Sequence, residues 1–167
     1  ATGSAWNPDL TAGGSSGGAA SGLGTHMLPV ADGSDMMGSL RNPGAFNNVI
    51  GFRPSVNVMS GIESVPRLLS TSGPMGRNTP DTIALLDTIA SIRLGGDFNA
   101  LDLSTSKFAW MGNLDGYLAM EDGVLDLCEA SLNQVAATGA SVEATTPLFN
   151  FNDLWLCWRT LRHGGRA

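Results

Sequence analysis

The sequence has little positive charge and almost no lysine. Lysine and arginine together number 9 against 15 acidic residues, the formal net charge is -6, and Lys107 is the only lysine. The arginines are scattered along the chain, so no basic face is available to neutralise phosphates. We therefore expect neither nucleic acid nor an anionic membrane surface as a partner.

Long apolar runs and paired cysteines are also missing. No apolar stretch approaches the roughly 18 residues of a membrane-spanning helix, and the start, ATGSAWNP, has neither a charged nor an apolar leader region. Cys128 and Cys157 stand at no metal-ligand spacing and lie in segments with helical periodicity. Interpreted as reduced core residues, they favour a cytoplasmic protein, and we expect no metal and no cofactor.

The length of 167 residues fits one domain with a substantial core. Within a single domain, 1–167, composition and pattern predict a core at about 6–90, a βαβ segment at about 105–145 and a C-terminal helix at about 152–162. The first residue is not methionine, and the last residues, RTLRHGGRA, stop in mid-pattern. We expect the chain to be a piece of a longer protein.

Local patterns predict most of the regular structure. A tight glycine turn leads into a helix near Ser16, whose small residues at 17–22 would let another backbone pack closely. Thr79-Pro80-Asp81 predicts a helix start with Thr79 as the N-cap. Apolar periodicity predicts a strand at 107–111, a helix at 121–137 and a strand at 141–144, which is the order of a parallel βαβ unit.

The final helix, 152–161, is predicted to bury a stripe of large apolar residues, namely Leu154, Trp155, Trp158 and Leu161. We expect these tryptophans to belong to a core and not to a ligand cage.

The stretch GSDMMGSLR, residues 33–41, has the residue types of a catalytic turn. A serine nucleophile needs a base and hydrogen-bond donors for the developing oxyanion. Consecutive N–H groups at Met36, Met37, Gly38 and Ser39 can converge on one anionic oxygen. Neither histidine, His26 or His163, stands in a recognisable triad, so both are interpreted as structural or surface residues.

Two charged residues flank this turn. Asp35 and Arg41 are interpreted as a buried pair that fixes the shape of the loop, and Arg53 and Arg77 as structural residues. The other glycine-rich stretch, GGSSGG, lacks the lysine of a phosphate-binding loop and the spacing of a dinucleotide fingerprint, which excludes a nucleotide-binding glycine loop.

Four blocks together resemble the amidase signature family. They are GGSSGGAA (13–20), GSDMMGSLRNP (33–43), GFRPS (51–55) and SGPMGR (72–77), in the order and at the spacing of that family, within a resemblance that covers residues 6–89. The resemblance implies an α/β fold with a mixed, mostly parallel sheet flanked by helices. It also implies a Ser-Ser-Lys triad acting on a small-molecule amide.

The resemblance assigns roles to matching positions. Ser39 would be the acylated nucleophile and Ser15 the bridging serine, with a cis peptide bond between Gly14 and Ser15. Backbone N–H groups of residues 36–39 would form the oxyanion hole, and Ser16 would be a supporting donor. Met37 stands where the family usually has glycine, and both methionine side chains would line the acyl pocket or the core behind it.

The triad lysine lies well upstream of GGSSGG in the family. Lys107 follows Ser39 and opens a predicted strand, so it is not an equivalent. The first hypothesis is therefore an amidase-type hydrolase of carboxamide C–N bonds other than peptide bonds, acting through a serine acyl-enzyme and incomplete as an isolated chain. The alternative is a catalytically silent folded fragment or self-associating module, because open sheet edges favour a homo-oligomer.

Overall fold

The computed structural model describes residues 2–55, 58–59, 69–90 and 101–164. The chain divides into two compact units, Ala1–Asp97 and Phe98–Ala167. The boundary between the units lies between the core predicted at about 6–90 and the βαβ segment predicted at about 105–145.

Short helices and strands alternate in the first unit. Its elements are α1 (Gly17–Gly24), β1 (Val30–Asp35), α2 (Arg41–Asn47), β2 (Ile50–Gly51), β3 (Thr71–Gly76) and α3 (Thr79–Ile89). Helix α1 begins directly after Ser16, which confirms the predicted helix start. Both serine-containing loops therefore lead into helices, one into α1 and the other into α2.

The strands of the first unit form an antiparallel sheet in the order β1-β3-β2. Asp35, at the end of β1, pairs with Thr71, and Ile50 of β2 pairs with Gly76. The expectation of a mostly parallel sheet is wrong for these strands. Their sequences, VADGSD and TSGPMG, are rich in small and polar residues, whereas parallel strands covered on both faces carry continuous branched apolar runs.

A small apolar cluster holds α1, β3 and the second serine loop together. Its fully buried members are Ala20, Leu23, Leu40 and Met75. Leu40 directly follows Ser39 in the chain, so its burial anchors the turn that contains this serine. Burying a leucine side chain contributes about 1.5–3 kcal/mol.

The small residues of α1 are less crowded than predicted. A Cβ at Gly18 would meet only Thr2 Oγ1, at 3.9 Å, and one at Gly17 would make ordinary contact with Ala12. The close backbone approach occurs at Gly24, where a Cβ would lie 3.1 Å from the carbonyl oxygen of Asn47. Within residues 17–22 the tight contact is at Gly22, where a Cβ would lie 3.0 Å from the Leu28 side chain. The predicted close approach of another backbone therefore occurs at Gly24 and not along residues 17–22.

Helix α3 is capped one residue earlier than predicted. Asn78 has extended backbone angles, and its side chain accepts a 2.9 Å hydrogen bond from the N–H of Asp81. Thr79 is the first helical residue and makes no side-chain cap bond. Both residue types cap helices well, so the sequence alone could not separate them. The asparagine has the extended backbone that a cap requires.

The second unit contains a short 3₁₀ helix (Leu103–Thr105), β4 (Lys107–Trp110), α4 (Val124–Ala136), β5 (Ser141–Ala144) and α5 (Phe151–Gly164). Strands β4 and β5 are parallel, with Lys107 opposite Ser141, and α4 connects them. This arrangement confirms the predicted βαβ segment. In the described ranges, no helix is long and apolar enough to cross a membrane.

Helix α5 does not bury its predicted stripe. Leu154, Trp155 and Leu161 are exposed, and Trp155 stacks on the partly buried Trp158 with ring centroids 5.0 Å apart. Both cysteines are free, as predicted, but Cys157 is exposed and Cys128 only partly buried, so neither is a core residue. Periodicity identified the apolar face of α5, but it could not show whether the described residues cover that face.

Candidate active site

Two loops of the first unit bring the serines of interest together. Residues 13–16 precede α1, and residues 36–40 connect β1 to α2. The N–H of Ser16 donates a 3.3 Å hydrogen bond to the carbonyl oxygen of Ser39. The Ser16 hydroxyl lies 3.5 Å from the carbonyl oxygen of Ser34. Ser15, next to Ser16, therefore borders the turn that carries Ser39.

Glycine permits this approach at two places. A Cβ at Gly33 would lie 2.4 Å from Ser16 Oγ, so any larger residue there would push the first loop away. Gly13 has a φ of 75° and would place a Cβ 3.0 Å from the backbone nitrogen of Pro43, in α2. The peptide bond between Gly14 and Ser15 is cis, which confirms the expectation drawn from the resemblance.

The carboxylate of Asp35 organises the second loop from within. It is fully buried, and it accepts hydrogen bonds from the N–H groups of Gly38, at 2.8 Å, and Leu40, at 3.3 Å. These two donors stand on either side of Ser39. The carboxylate therefore fixes the backbone that positions this serine.

Two arginines complete the surroundings of Asp35. Arg41 makes a bidentate contact with the carboxylate, with Nε 2.9 Å from Oδ2 and Nη2 3.0 Å from Oδ1. Arg53 Nη1 lies 3.0 Å from Oδ1 and also donates to the Asp35 carbonyl oxygen. The predicted pair is thus a three-residue cluster, and only its carboxylate is fully buried, because the Arg41 side chain is 57% exposed.

The pKa of Asp35 is well below its ordinary value. Burial by itself raises the pKa of this carboxyl, but the hydrogen bond from Arg41 and those from the N–H groups of Gly38 and Leu40 lower it by more. The same contact raises the pKa of Arg41. These contacts favour the ionised form of Asp35 near neutral pH, so its carboxylate acts as a hydrogen-bond acceptor that holds the turn.

One of the predicted oxyanion donors makes a hydrogen bond within the protein. The Gly38 N–H donates to Asp35, so it is not available to an oxyanion in this structure, and the role of the other donors stays a prediction. Within the described part of the chain, the N–H groups of Met36 and Ser39 have no hydrogen-bond acceptor. Positive φ falls at Gly38, at 94°, and not at Met37, so methionine fits the position where the family usually has glycine.

The methionine side chains face solvent in part. Met36 is 40% exposed and Met37 49% exposed, so neither lines a core behind the turn. The core alternative is therefore wrong, because the apolar character of methionine does not show on which side of the turn its side chain lies. The alternative that these side chains line an acyl pocket stays a prediction.

The remaining candidates lie elsewhere or have structural contacts. His26 is exposed, and Arg77 donates to the carbonyl oxygens of Leu23 and Leu28. Lys107 is exposed at the start of β4, in the second unit. Among the described residues, no group of histidine, cysteine and acidic side chains could hold a metal ion.

The family model described as Amidase matches residues 1–103, which include both serine loops. The chain belongs to the amidase family. A glutamyl-tRNA(Gln) amidotransferase subunit from Saccharolobus solfataricus is 33% identical over 151 residues, covering 84% of this chain and 31% of that protein. The chain spans about a third of the length of the curated amidase relatives it matches.

Solved structures of amidase-family proteins share the fold. A bacterial aryl acylamidase of the amidase signature family is 26% identical with a TM-score of 0.75, covering 94% of this chain and 35% of that protein. The corresponding glutamyl-tRNA(Gln) amidotransferase subunit from Thermotoga maritima is 25% identical with a TM-score of 0.74, covering 87% of this chain and 35% of that protein. These structures support the α/β class.

Proposed function

We propose that these residues form the serine-bearing part of an amidase-type hydrolase that cleaves carboxamide C–N bonds other than peptide bonds. Ser39 is the nucleophile and Ser15 the bridging serine. The observation that carries the proposal is the hydrogen bond from the Ser16 N–H to the Ser39 carbonyl oxygen, which holds the two serine loops side by side.

The proposed reaction has two stages. Ser39 Oγ attacks the carboxamide carbon while its proton passes to Ser15, and Ser15 passes a proton to a neutral lysine. The tetrahedral intermediate collapses when the amide nitrogen takes a proton and leaves as ammonia or an amine. Water then attacks the resulting ester, which releases the acid and restores the Ser39 hydroxyl. The lysine is proposed to come from sequence outside these 167 residues.

The oxyanion requires donors that do not move during the reaction. We assign this role to the N–H groups of Met36 and Ser39, which have no acceptor in the described part of the chain, with Gly38 acting through its bond to Asp35. Losing one such donor typically lowers kcat about 10² to 10³-fold.

A fluorophosphonate probe tests the nucleophile directly, because the serine oxygen displaces fluoride from phosphorus and leaves a stable adduct. The experiment uses the longest translation product that contains this sequence, with peptide mapping of the adduct. We expect labelling at Ser39, none in Ser39→Ala, and unchanged labelling in Ser34→Ala, which alters an exposed serine of β1. Labelling at another residue, or none, would reject the assignment.

A second candidate is an amidotransferase step, in which the amide nitrogen passes to an acceptor. The curated relatives named as glutamyl-tRNA(Gln) amidotransferase subunits favour this candidate. The same acyl-enzyme would form at Ser39. Following the amide nitrogen distinguishes the two candidates, because hydrolysis releases it as free ammonia or amine, whereas transfer moves it to the acceptor.

The silent-module alternative makes the opposite prediction for the 167 residues by themselves. Amide hydrolysis above that of a Ser39→Ala control would reject the silent-module alternative, and sedimentation or light scattering would show whether the chain self-associates.

A cytoplasmic setting, and the mixed, mostly parallel sheet of the complete fold, remain part of the proposed function. The net charge of -6 supports the absence of a nucleic-acid or anionic membrane partner.

A further inference from the structure

Arg53 joins three segments of the first unit that are distant in sequence. Its Nη1 donates to both the carbonyl oxygen and the carboxylate of Asp35, and its Nη2 lies 3.4 Å from the carbonyl oxygen of Leu69. Asp35 ends β1, Arg53 follows β2, and Leu69 precedes β3. The guanidinium group therefore connects all three strands of the sheet at one corner, next to the turn that holds Ser39.

The backbone that presents Arg53 is itself firmly held. The N–H of Phe52 donates a 3.0 Å hydrogen bond to the carbonyl oxygen of Pro74, and Pro54 is buried. A Cβ at Gly73 would lie 2.2 Å from the Phe52 carbonyl oxygen, so the strands meet closely on either side of Arg53. The backbone on both sides of Arg53 is therefore held in place, which fixes the point from which the guanidinium group reaches Asp35.

The two arginines of the cluster hold different parts of Asp35. Arg41 binds only the carboxylate, is six residues away, and is 57% exposed. Arg53 binds the main-chain carbonyl as well, and its side chain is 27% exposed. The carbonyl is the last group of β1 before the turn of residues 36–40, so Arg53 fixes the direction in which the chain enters that turn.

We propose that Arg53 is a positioning residue for the nucleophile turn, acting through Asp35 on the N–H groups around Ser39. The inference rests on the proposed function for its effect on the reaction. Asp35 fixes the far end of the turn through Gly38 and Leu40, and Arg53 fixes the near end. Without Arg53, the near end keeps its pairing with Thr71 in the sheet but loses the bond to the Asp35 carbonyl oxygen, and the Ser39 oxygen no longer stays aligned with its donors.

The test compares Arg53→Met with Arg77→Met in the longest translation product that contains this sequence. Methionine keeps an apolar stem of similar reach but donates no hydrogen bond. Arg77 also binds two carbonyl oxygens of the first unit, those of Leu23 and Leu28, so its loss is a matched structural control. The fluorophosphonate reaction is resolved into the probe's binding constant and its maximal labelling rate at Ser39.

We expect Arg53→Met to lower the maximal labelling rate about 10 to 100-fold, with the probe's binding constant within about twofold. Arg77→Met should leave both values near those of the wild type, although the two variants lose similar thermal stability. Arg53→Lys should restore part of the rate, because an ammonium can reach Asp35 but cannot span to Leu69 as a guanidinium does. If Arg53→Met does not fold, the maximal labelling rate of Arg53→Lys tests the positioning role instead. We expect that rate to be at least about threefold below the wild-type rate.

Hydrogen exchange of the 36–40 peptide provides a readout that does not depend on catalysis. Arg53→Met should increase exchange at Gly38 and Leu40 by at least about tenfold relative to Arg77→Met. Wild-type labelling kinetics and wild-type exchange in Arg53→Met would overturn the proposal, as would equal losses in both variants. An unlabelled wild type with increased exchange in Arg53→Met would instead reject the proposed function and leave the positioning role standing.

Discussion

The N–H of Ser16 donates to the carbonyl oxygen of Ser39 across 3.3 Å. This bond joins two loops that are separated by α1 and β1 and by 23 positions of chain. Because Ser15 directly precedes Ser16, the bond brings the loop that contains Ser15 beside the turn of residues 36–40. The proposed roles of the two adjacent serines differ, and this difference can be tested.

Ser15→Ala should slow reaction at Ser39 far more than Ser16→Ala. Removing the bridging hydroxyl interrupts proton transfer, which is worth about 10² to 10⁴-fold. Ser16→Ala keeps the N–H that binds Ser39 and loses only a long 3.5 Å hydroxyl contact, worth about 1 kcal/mol or roughly fivefold. Rates of amide hydrolysis or probe labelling in the two variants test this difference. Equal rate losses in Ser15→Ala and Ser16→Ala would contradict a role of Ser15 in proton transfer.

Gly33→Ala should disturb the contact between the serine loops. The new Cβ would lie 2.4 Å from Ser16 Oγ and 2.9 Å from a methyl group of Leu40, which costs about 1–3 kcal/mol. Gly18→Ala is the matched control, since Gly18 is an exposed α1 residue with its nearest neighbour at 3.9 Å. It should stabilise by about 0.5–1 kcal/mol. Urea unfolding measures both, and a neutral Gly33→Ala would contradict the described packing.

Asp35→Asn should remove a pH-dependent part of the stability. Because the folded pKa of Asp35 is lowered from 3.8, its carboxylate contributes fully above about pH 4, and this contribution is lost as the pH falls through the folded pKa. At pH 7 the variant should lose on the order of 3 kcal/mol, a difference that narrows below about pH 4.

Urea unfolding at several pH values measures this difference. Asp32→Asn is the control, since Asp32 is an exposed residue of the same strand. It should stay within about 0.5 kcal/mol of the wild type at pH 7. A gap between wild type and Asp35→Asn that keeps its full size in acid would show that the ionised carboxylate is not what holds the turn.

Asn78→Ala should destabilise α3 by about 1 kcal/mol, because the Asn78 side chain caps the N–H of Asp81 at 2.9 Å. Thr79→Ala should change the free energy of unfolding by less than about 0.5 kcal/mol. Thermal or urea unfolding of the two single variants compares them. The reverse order would favour the cap inferred from the sequence pattern.

Much of the local structure could be predicted because it depends on neighbouring residues. The start of α1 at the glycine turn, and the βαβ order of β4, α4 and β5, follow from turn residues and apolar spacing. The two serine-containing blocks could also be identified from the sequence, since their residues and the spacing between them carry the family resemblance. The cap at Asn78 was missed by one residue, because adjacent residue types had equal capping ability.

Pairing over long distances could not be predicted in the same way. Asp35 and Arg41 lie six residues apart and could be paired by inspection, whereas Arg53 meets Asp35 only because β1 and β2 both flank β3. The engagement of the Gly38 N–H likewise required the direction of the Asp35 side chain. Neither contact produces a periodic pattern of residues in the sequence.

The amino-acid sequence by itself determined the two serine loops, the helix that follows the first of them and membership of the amidase family, since these depend on residue types at fixed short spacings. Only the tertiary structure decided that the sheet of the first unit is antiparallel, that Asp35 binds two arginines and the turn of residues 36–40, and that Met36 and Met37 are partly exposed. The physical reason is that strand direction, side-chain burial and contacts between distant segments depend on how the whole chain packs.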